Sequence, residues 1–239
     1  MSKEILALFP DEFEESELGL IPKGWEVKPF GKLIKKTIGG DWGKEAPDQK
    51  HTEEVKILRG TDLPKVYRMN DSSVPIRYVE EKKLKTRIIE EGDIVIEISG
   101  GTKNQPTGRS LYFTQDLIDR LGYKLEPASF CRLFKPATRE LGLYLGFHLM
   151  KIYDDGKTWL YQNQSTGISN FQTTIFLEKE VIVVPEEKVF DVFYSMVEPM
   201  FLKMHSSGNK NLVQLRDTLL PKLLSGEITI KEAEINIDE

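Results

Sequence analysis

Little in this sequence supports a covalent or metal-built scaffold. Of 239 residues, one is cysteine (Cys131) and three are histidine (His51, His148 and His205). A single thiol forms no internal disulfide, and scattered histidines lack the spacing of zinc ligands, which excludes a disulfide-stapled secreted domain and a zinc finger. No apolar run approaches the roughly 18 residues of a membrane span. The start, Met1-Ser2-Lys3-Glu4, has neither the basic opening nor the apolar stretch of a signal peptide. These absences lead to the expectation of a cytoplasmic chain with no metal of its own. With 39% hydrophobic residues it has enough apolar side chain for a core.

Basic residues are also outnumbered, 33 against 38, for a formal net charge of -5. The sum hides a distribution. Residues 1–20 and 227–239 together hold 11 acids and two bases, which leaves 31 bases against 27 acids between them. Within residues 98–139 seven bases face three acids. A polyanion answers to the field within about 10 Å, so the negative total does not exclude nucleic acid.

Hydrophobic patterning predicts four regions: an acidic lead-in (1–18), a globular domain (19–185), a long helix (186–226) and an acidic tail (227–239). Residues 94–98, 111–113, 130–134 and 181–184 read as strands, and Val55 to Leu58 as a short one. Residues 25–36 read as a strand or turn running into an amphipathic helix. Residues 140–153 read as a helix that Asp154-Asp155-Gly156 stops. Residues 38–52 and 161–170 are polar and read as loops. Strands and helices alternate irregularly, which gives an α+β class with a mixed sheet. From residue 186 onward, Phe190, Phe193, Val197, Phe201 and Met204 recur at helical spacing, with Leu212, Leu215 and Leu219 beyond. The steps of 3, 4 and 4 make an 11-residue repeat, which suits a nearly straight helical seam. Such a stripe needs a partner surface, either a like helix or the chain's own domain.

Two patterns imitate catalysis. Pro47-Asp48, followed after five residues by Glu54-Val55-Lys56, has the order of a metal-dependent nuclease. Five residues barely allow a strand to reverse and bring Asp48, Glu54 and Lys56 to one cation. The stretch from Gly101 to Ser110 imitates a phosphate loop, but has six residues between its glycines and an arginine where lysine is required. Cys131 lies in an apolar strand far from any histidine and suits packing. The chain offers no self-sufficient active site.

Several segments, in order, resemble the DNA-specificity subunit of type I restriction-modification enzymes. They are Ile21-Pro22-Lys23-Gly24-Trp25-Glu26-Val27, Leu58-Arg59-Gly60-Thr61-Asp62 and Glu91-Gly92-Asp93-Ile94-Val95 with Ser99-Gly100-Gly101 and Gly108-Arg109. The polar stretch from Gln162 to Ser169 leading to Val183-Val184-Pro185 follows. The run from Leu215 through Leu219-Leu220-Pro221-Lys222-Leu223-Leu224-Ser225-Gly226-Glu227-Ile228 is the most specific. The resemblance covers roughly residues 19–228. It implies a target-recognition domain that binds double-stranded DNA, followed by a pairing helix, with no catalysis and no cofactor in this chain. Partner methylation subunits would supply S-adenosylmethionine chemistry, and a restriction/motor subunit ATP- and Mg-dependent cleavage. Such subunits carry two units, whereas this chain carries one. The second specificity half would then come from self-association, or from the rest of a longer chain. The lead-in resembles the junction before a second unit, which favours a C-terminal half.

A reader of base edges needs polar side chains on loops held by a rigid scaffold, with cations placing the backbone. Asn and Gln grip adenine bidentately, and Arg or Lys grip guanine. Candidate DNA contacts are therefore Lys103, Asn104, Gln105, Thr107 and Arg109 in one loop and Asn163, Gln164, Ser165 and Thr166 in another, with Lys44 for phosphate. The competing assignments are a stand-alone nuclease using Asp48, Glu54 and Lys56, and a protein adaptor whose helix does all the binding.

Overall fold

The computed structural model describes residues 7–102, 104–165 and 168–205, with helical positions at 218, 219, 221, 222 and 225. Lys103, Thr166, Leu212 and Leu215, the side chains of Gln164 and Ser165, and the acidic tail lie outside the described residues. The chain begins with the hairpin β1 (Phe13–Ser16) and β2 (Gly19–Pro22), followed by β3 (Glu26–Pro29), β4 (Ile34–Gly39), β5 (His51–Leu58), α1 (Leu63–Tyr67), β6 (Ile76–Glu80) and α2 (Glu81–Arg87). Next come β7 (Ile94–Glu97), β8 (Ser99–Gly101), β9 (Ser110–Tyr112), α3 (Gln115–Leu121), β10 (Lys124–Pro127), β11 (Cys131–Pro136) and α4 (Arg139–Asp154). The hairpin β12 (Gln162–Ser165) and β13 (Ile168–Phe171), α5 (Thr173–Lys179), β14 (Val181–Val184) and α6 (Glu187–His205) complete the order. The class is α+β.

The centre is an antiparallel sheet in the order β4-β11-β7-β9. Side chains alternate across it, and both faces are covered. Ile94, Ile96, Tyr112 and Phe134 join a core with Leu145, Leu149 and Ile152 of α4 and Phe176 of α5. Val95, Leu111, Cys131 and Leu133 join a second core with Leu63 and Val66 of α1 and Leu117 and Leu121 of α3. Burial on both faces explains why β7 reads as the continuous run Ile94-Val95-Ile96. Helix α3 starts at Thr114, whose hydroxyl accepts from the Leu117 amide, and α4 starts in the same way at Thr138. A second sheet, β10-β5-β6, pairs β10 parallel to β5.

Three local expectations change. The amphipathic helix after Trp25 is a single 3₁₀ turn, Phe30–Leu33, between two strands. Phe30 and Leu33 are three apart, so one such turn buries both before the chain extends into β4. The polar stretch 161–170 begins with the end of a 3₁₀ turn and continues as the hairpin β12–β13. Polar strands have no hydrophobic period, so nothing in the pattern separates them from loop. Helix α6 carries Pro199 within it, and along the described residues its stripe packs on the chain's own domain. Phe190 and Phe193 pack edge-on against Tyr144 of α4, with ring centroids at 5.8 and 5.6 Å. Phe201 is buried among Tyr112, Phe147 and Tyr67. Val197 packs against the same core. The stripe therefore closes the chain's own domain as far as Phe201, whereas Met204 remains exposed beside Met196 and Met200.

Candidate nucleic-acid interface

Several chain reversals meet at one end of the central sheet, because antiparallel strands place the end of β4, the end of β7 and the starts of β9 and β11 side by side. The ends of β5 and β10 arrive there as well: the Ala128 amide donates to the Leu58 carbonyl at 2.9 Å. Between these reversals lies a cleft of about 520 Å³ lined by Trp42, Arg59, Gly60, Glu97, Gly100 and Phe130, among others.

The floor is a buried ion pair. Glu97, 2% exposed, ends β7, and Arg109 meets it across the β8–β9 loop. Arg109 Nε donates to Glu97 Oε2 at 2.8 Å while its Nη2 donates to Oε1, a bidentate fork. Gly60 is needed here, since a Cβ at that position would stand 2.5 Å from Glu97 Oε1. Gly100, at φ +129°, takes a backbone conformation that favours glycine as the chain turns over the same carboxylate. The neighbouring turn is locked through buried Asp62, whose carboxylate accepts from Arg59 Nε and Nη2 at 2.8 and 2.9 Å and from the Ser73 hydroxyl at 2.9 Å.

The two loops expected to read bases are joined to each other. Strand β13 pairs with β8 in the register Ser169 to Gly101 and Asn170 to Ser99. The Ser99 hydroxyl lies 2.9 Å from Asn170 Oδ1, and Gln162 Oε1 accepts from the Thr107 amide at 2.9 Å and its hydroxyl at 3.2 Å. Thr102 and Gln105 exchange backbone hydrogen bonds, which closes a tight turn with Asn104 near its tip.

This geometry sorts the candidate contacts. Asn104, Gln105, Asn163 and Lys44 are exposed. Gln105 Nε2 donates to the Tyr153 hydroxyl at 3.3 Å, and Lys44 is held by backbone hydrogen bonds with Tyr78 of β6, two residues beyond Trp42. Thr107 and Arg109 are corrected. Thr107 is fully buried and spends its donors on Gln162, and the Arg109 guanidinium is sealed against Glu97. Both hold the loop, Thr107 from a buried position and Arg109 through the commitment of its guanidinium to Glu97. Sequence reasoning missed Trp42, Phe130 and Glu97. An acid twelve residues from Arg109 gave no local signal, and aromatic exposure depends on which reversals converge.

The imitation nuclease site does not assemble. Asp48 Oδ1 caps its own turn, accepting from the Lys50 and His51 amides at 2.8 Å each beside the His51 ring. Those hydrogen bonds hold its carboxyl well below the usual range. Glu54 accepts from the Tyr78 hydroxyl at 3.2 Å, and Lys56 donates to the Leu121 carbonyl at 2.7 Å. Among the described residues no group of three or more His, Cys, Asp or Glu is placed to hold a metal. Cys131 is buried, and desolvation pushes its thiol up to about 12, which suits packing.

No family model matches the chain. It is 24% identical over 230 residues to the MjaIX type I restriction enzyme specificity subunit of Methanocaldococcus jannaschii, a match that takes in 94% of this chain and 48% of that subunit. The chain is thus similar to type I specificity subunits over most of its length. A 65-residue stretch, 26% of the chain, is 38% identical to 14% of the HindI specificity subunit of Haemophilus influenzae. The chain spans about half the length of the M. jannaschii relative. Solved structures similar to the chain include the type I S subunit from M. genitalium (12% identity, TM-score 0.49, 84% of this chain and 46% of that one). Another is the HsdS subunit from Thermoanaerobacter tengcongensis (13% identity, TM-score 0.41, 94% and 49%).

Proposed function

We propose that this chain is a sequence-reading unit of a type I restriction-modification specificity subunit, which binds one half of a bipartite DNA site. Similarity to the M. jannaschii specificity subunit carries this reading, because it runs through 94% of this chain. The chemistry of that face supports it. Asn104 and Gln105 on the β8–β9 loop and Asn163 on the hairpin joined to it offer amide groups suited to base edges, and Lys44 offers a cation for phosphate.

On this reading the unit chooses the site and is not itself an enzyme. Methylation subunits supply S-adenosylmethionine chemistry, a restriction/motor subunit supplies ATP- and Mg-dependent cleavage, and a second specificity half completes the site. The assembly works in the cytoplasm. No helix among the described residues is long and apolar enough to cross a membrane. The exposed row Met196, Met200 and Met204 is the face for the second half.

Reconstitution with the cognate methylation subunits tests the proposal. Methylation mapped by sequencing should fall on one bipartite motif and disappear when this chain is omitted. Cleavage or methylation of DNA by the chain alone would overturn it.

A further inference from the structure

Two large aromatic side chains stand at the cleft mouth where the fold gains little from them. Phe130 is 64% exposed and Trp42 is 38% exposed. Neither is loosely held. The Cys131 amide donates to the Ala128 carbonyl at 2.8 Å, which closes the turn that carries Phe130. The Phe130 carbonyl accepts from the Ile98 and Ser99 amides at 2.9 and 3.3 Å, which fixes that turn to the end of β7. The loop bearing Trp42 docks on the same turn, through Gly40 N–H to the Cys131 carbonyl at 3.2 Å and Asp41 N–H to the Pro127 carbonyl at 2.9 Å. The Arg77 guanidinium lies 4.8 Å from the centre of the Trp42 ring and places a cation at the rim. Rigid aromatics presented to solvent beside a cleft are anchor contacts for a ligand, since they lose little entropy on binding.

The lining says which part of a ligand enters. Apolar surface, with Trp42, Ala128 and Phe130 contributing, outweighs the polar side chains of Arg59, Ser99 and Ser129 in the cleft, and the Glu97 carboxylate on the floor is engaged on both oxygens by Arg109. The floor charge is thereby neutralised, which suits an apolar group. In the major groove of duplex DNA the C5 methyl of thymine is the apolar feature among donors and acceptors. We propose that Phe130, backed by Trp42, is a specificity-determining contact whose ring packs against the C5 methyl of a thymine in the target duplex. The assignment rests on the reading of this chain as a DNA-recognition unit and adds a base identity to it. It also divides labour across the face: the amides of Asn104, Gln105 and Asn163 meet polar edges, and the aromatic pair meets the methyl.

The test uses the complex of this chain with its methylation subunits, and target duplexes in which each thymine is replaced in turn by deoxyuridine, which lacks only the methyl. The native complex should methylate more slowly at one substituted position, by roughly 4-fold, the worth of one buried methyl-sized group. Phe130→Ala should abolish that preference and leave the response at other positions unchanged, while Phe130→Leu retains part of it. Phe130 is exposed, so thermal unfolding of the variants should match the native chain. A native complex indifferent to every deoxyuridine overturns the proposal. So does a Phe130→Ala complex that keeps the thymine preference, or that loses activity equally on both duplexes, as a wedge between base steps would produce. These results leave site-specific methylation intact in the native complex, whereas failure of the underlying reading would remove it.

Discussion

Arg109 illustrates how burial reassigns a side chain. Its fork to Glu97 lies under the cleft floor, so removing one partner strands a charge away from water. Arg109→Ala should lower unfolding free energy by about 3–5 kcal/mol, measured by urea denaturation. Exchanging both partners for apolar residues, Arg109→Met with Glu97→Leu, should recover much of that loss. Gln105→Ala and Asn163→Ala should leave the denaturation midpoint unchanged and lower methylation of the target by the assembled enzyme. Glu126 is a second buried acid, on β10, with no hydrogen bond to either carboxylate oxygen and Arg87 only as near as 3.7 Å. Desolvation outweighs the attraction of Arg87 and pushes its carboxyl up to about 7. The folded chain therefore holds a proton that the unfolded chain has lost between the ordinary glutamate value, near 4.3, and about 7. Stability falls as pH rises through that window. Glu126→Gln should stabilise the protein by about 2 kcal/mol at pH 8 and by nothing near pH 4, read from thermal or urea unfolding across pH.

At the scale of elements, α6 is both core and surface. Phe201 fills space among Tyr112, Phe147 and Tyr67, so Phe201→Ala should cost about 3–5 kcal/mol in denaturation. Met200, 63% exposed, belongs to the outward row, and Met200→Asp should leave stability within about 0.5 kcal/mol. On the proposed function that variant should still separate the two specificity halves, as seen by sedimentation. The contrast explains what was legible at this scale. The period of the stripe was plain, and so was the stop of α4 at Asp154-Asp155-Gly156, because both depend on neighbours in sequence. What the stripe packs against depends on Tyr144, Tyr112 and Tyr67, which lie far away along the chain. The β12–β13 hairpin was hidden for another reason: its ladder is backbone, and Gln162-Asn163-Gln164 alternates no apolar group.

Across the whole molecule, the negative total charge and the proposed ligand are reconciled by where charge sits. Acids crowd the two ends of the sequence, and the segment 98–139 is basic. Part of that basic surplus is spent internally. Arg109 is sealed to Glu97, Arg120 lies against Asp71 at 3.0 Å, and Lys135 pairs with Asp93 at 2.7 Å. A count of cations therefore overstated the charge offered to a polyanion, and sequence could not reveal the difference. Duplex affinity of the assembled complex should fall with salt, and Lys44→Ala should reduce the logarithmic salt slope by about one while weakening all sequences alike. The α+β class was legible, and so were β7 and β14 and the apolar parts of β5, β9 and β11, because each carries a short apolar run, whereas β8 and β12 lack one. The convergence of Trp42, Phe130 and Glu97 was not, since it is a property of antiparallel topology.

That topology leaves the floor pair, the two rim aromatics and the amide-bearing turns gathered at strand ends, while a sheet wrapped on both sides carries the stability. Changes confined to the tips need not disturb what keeps the molecule folded. On the proposed function, a lineage is then free to drift from one target word to another by exchanging a few outward residues, with the supporting architecture inherited unchanged.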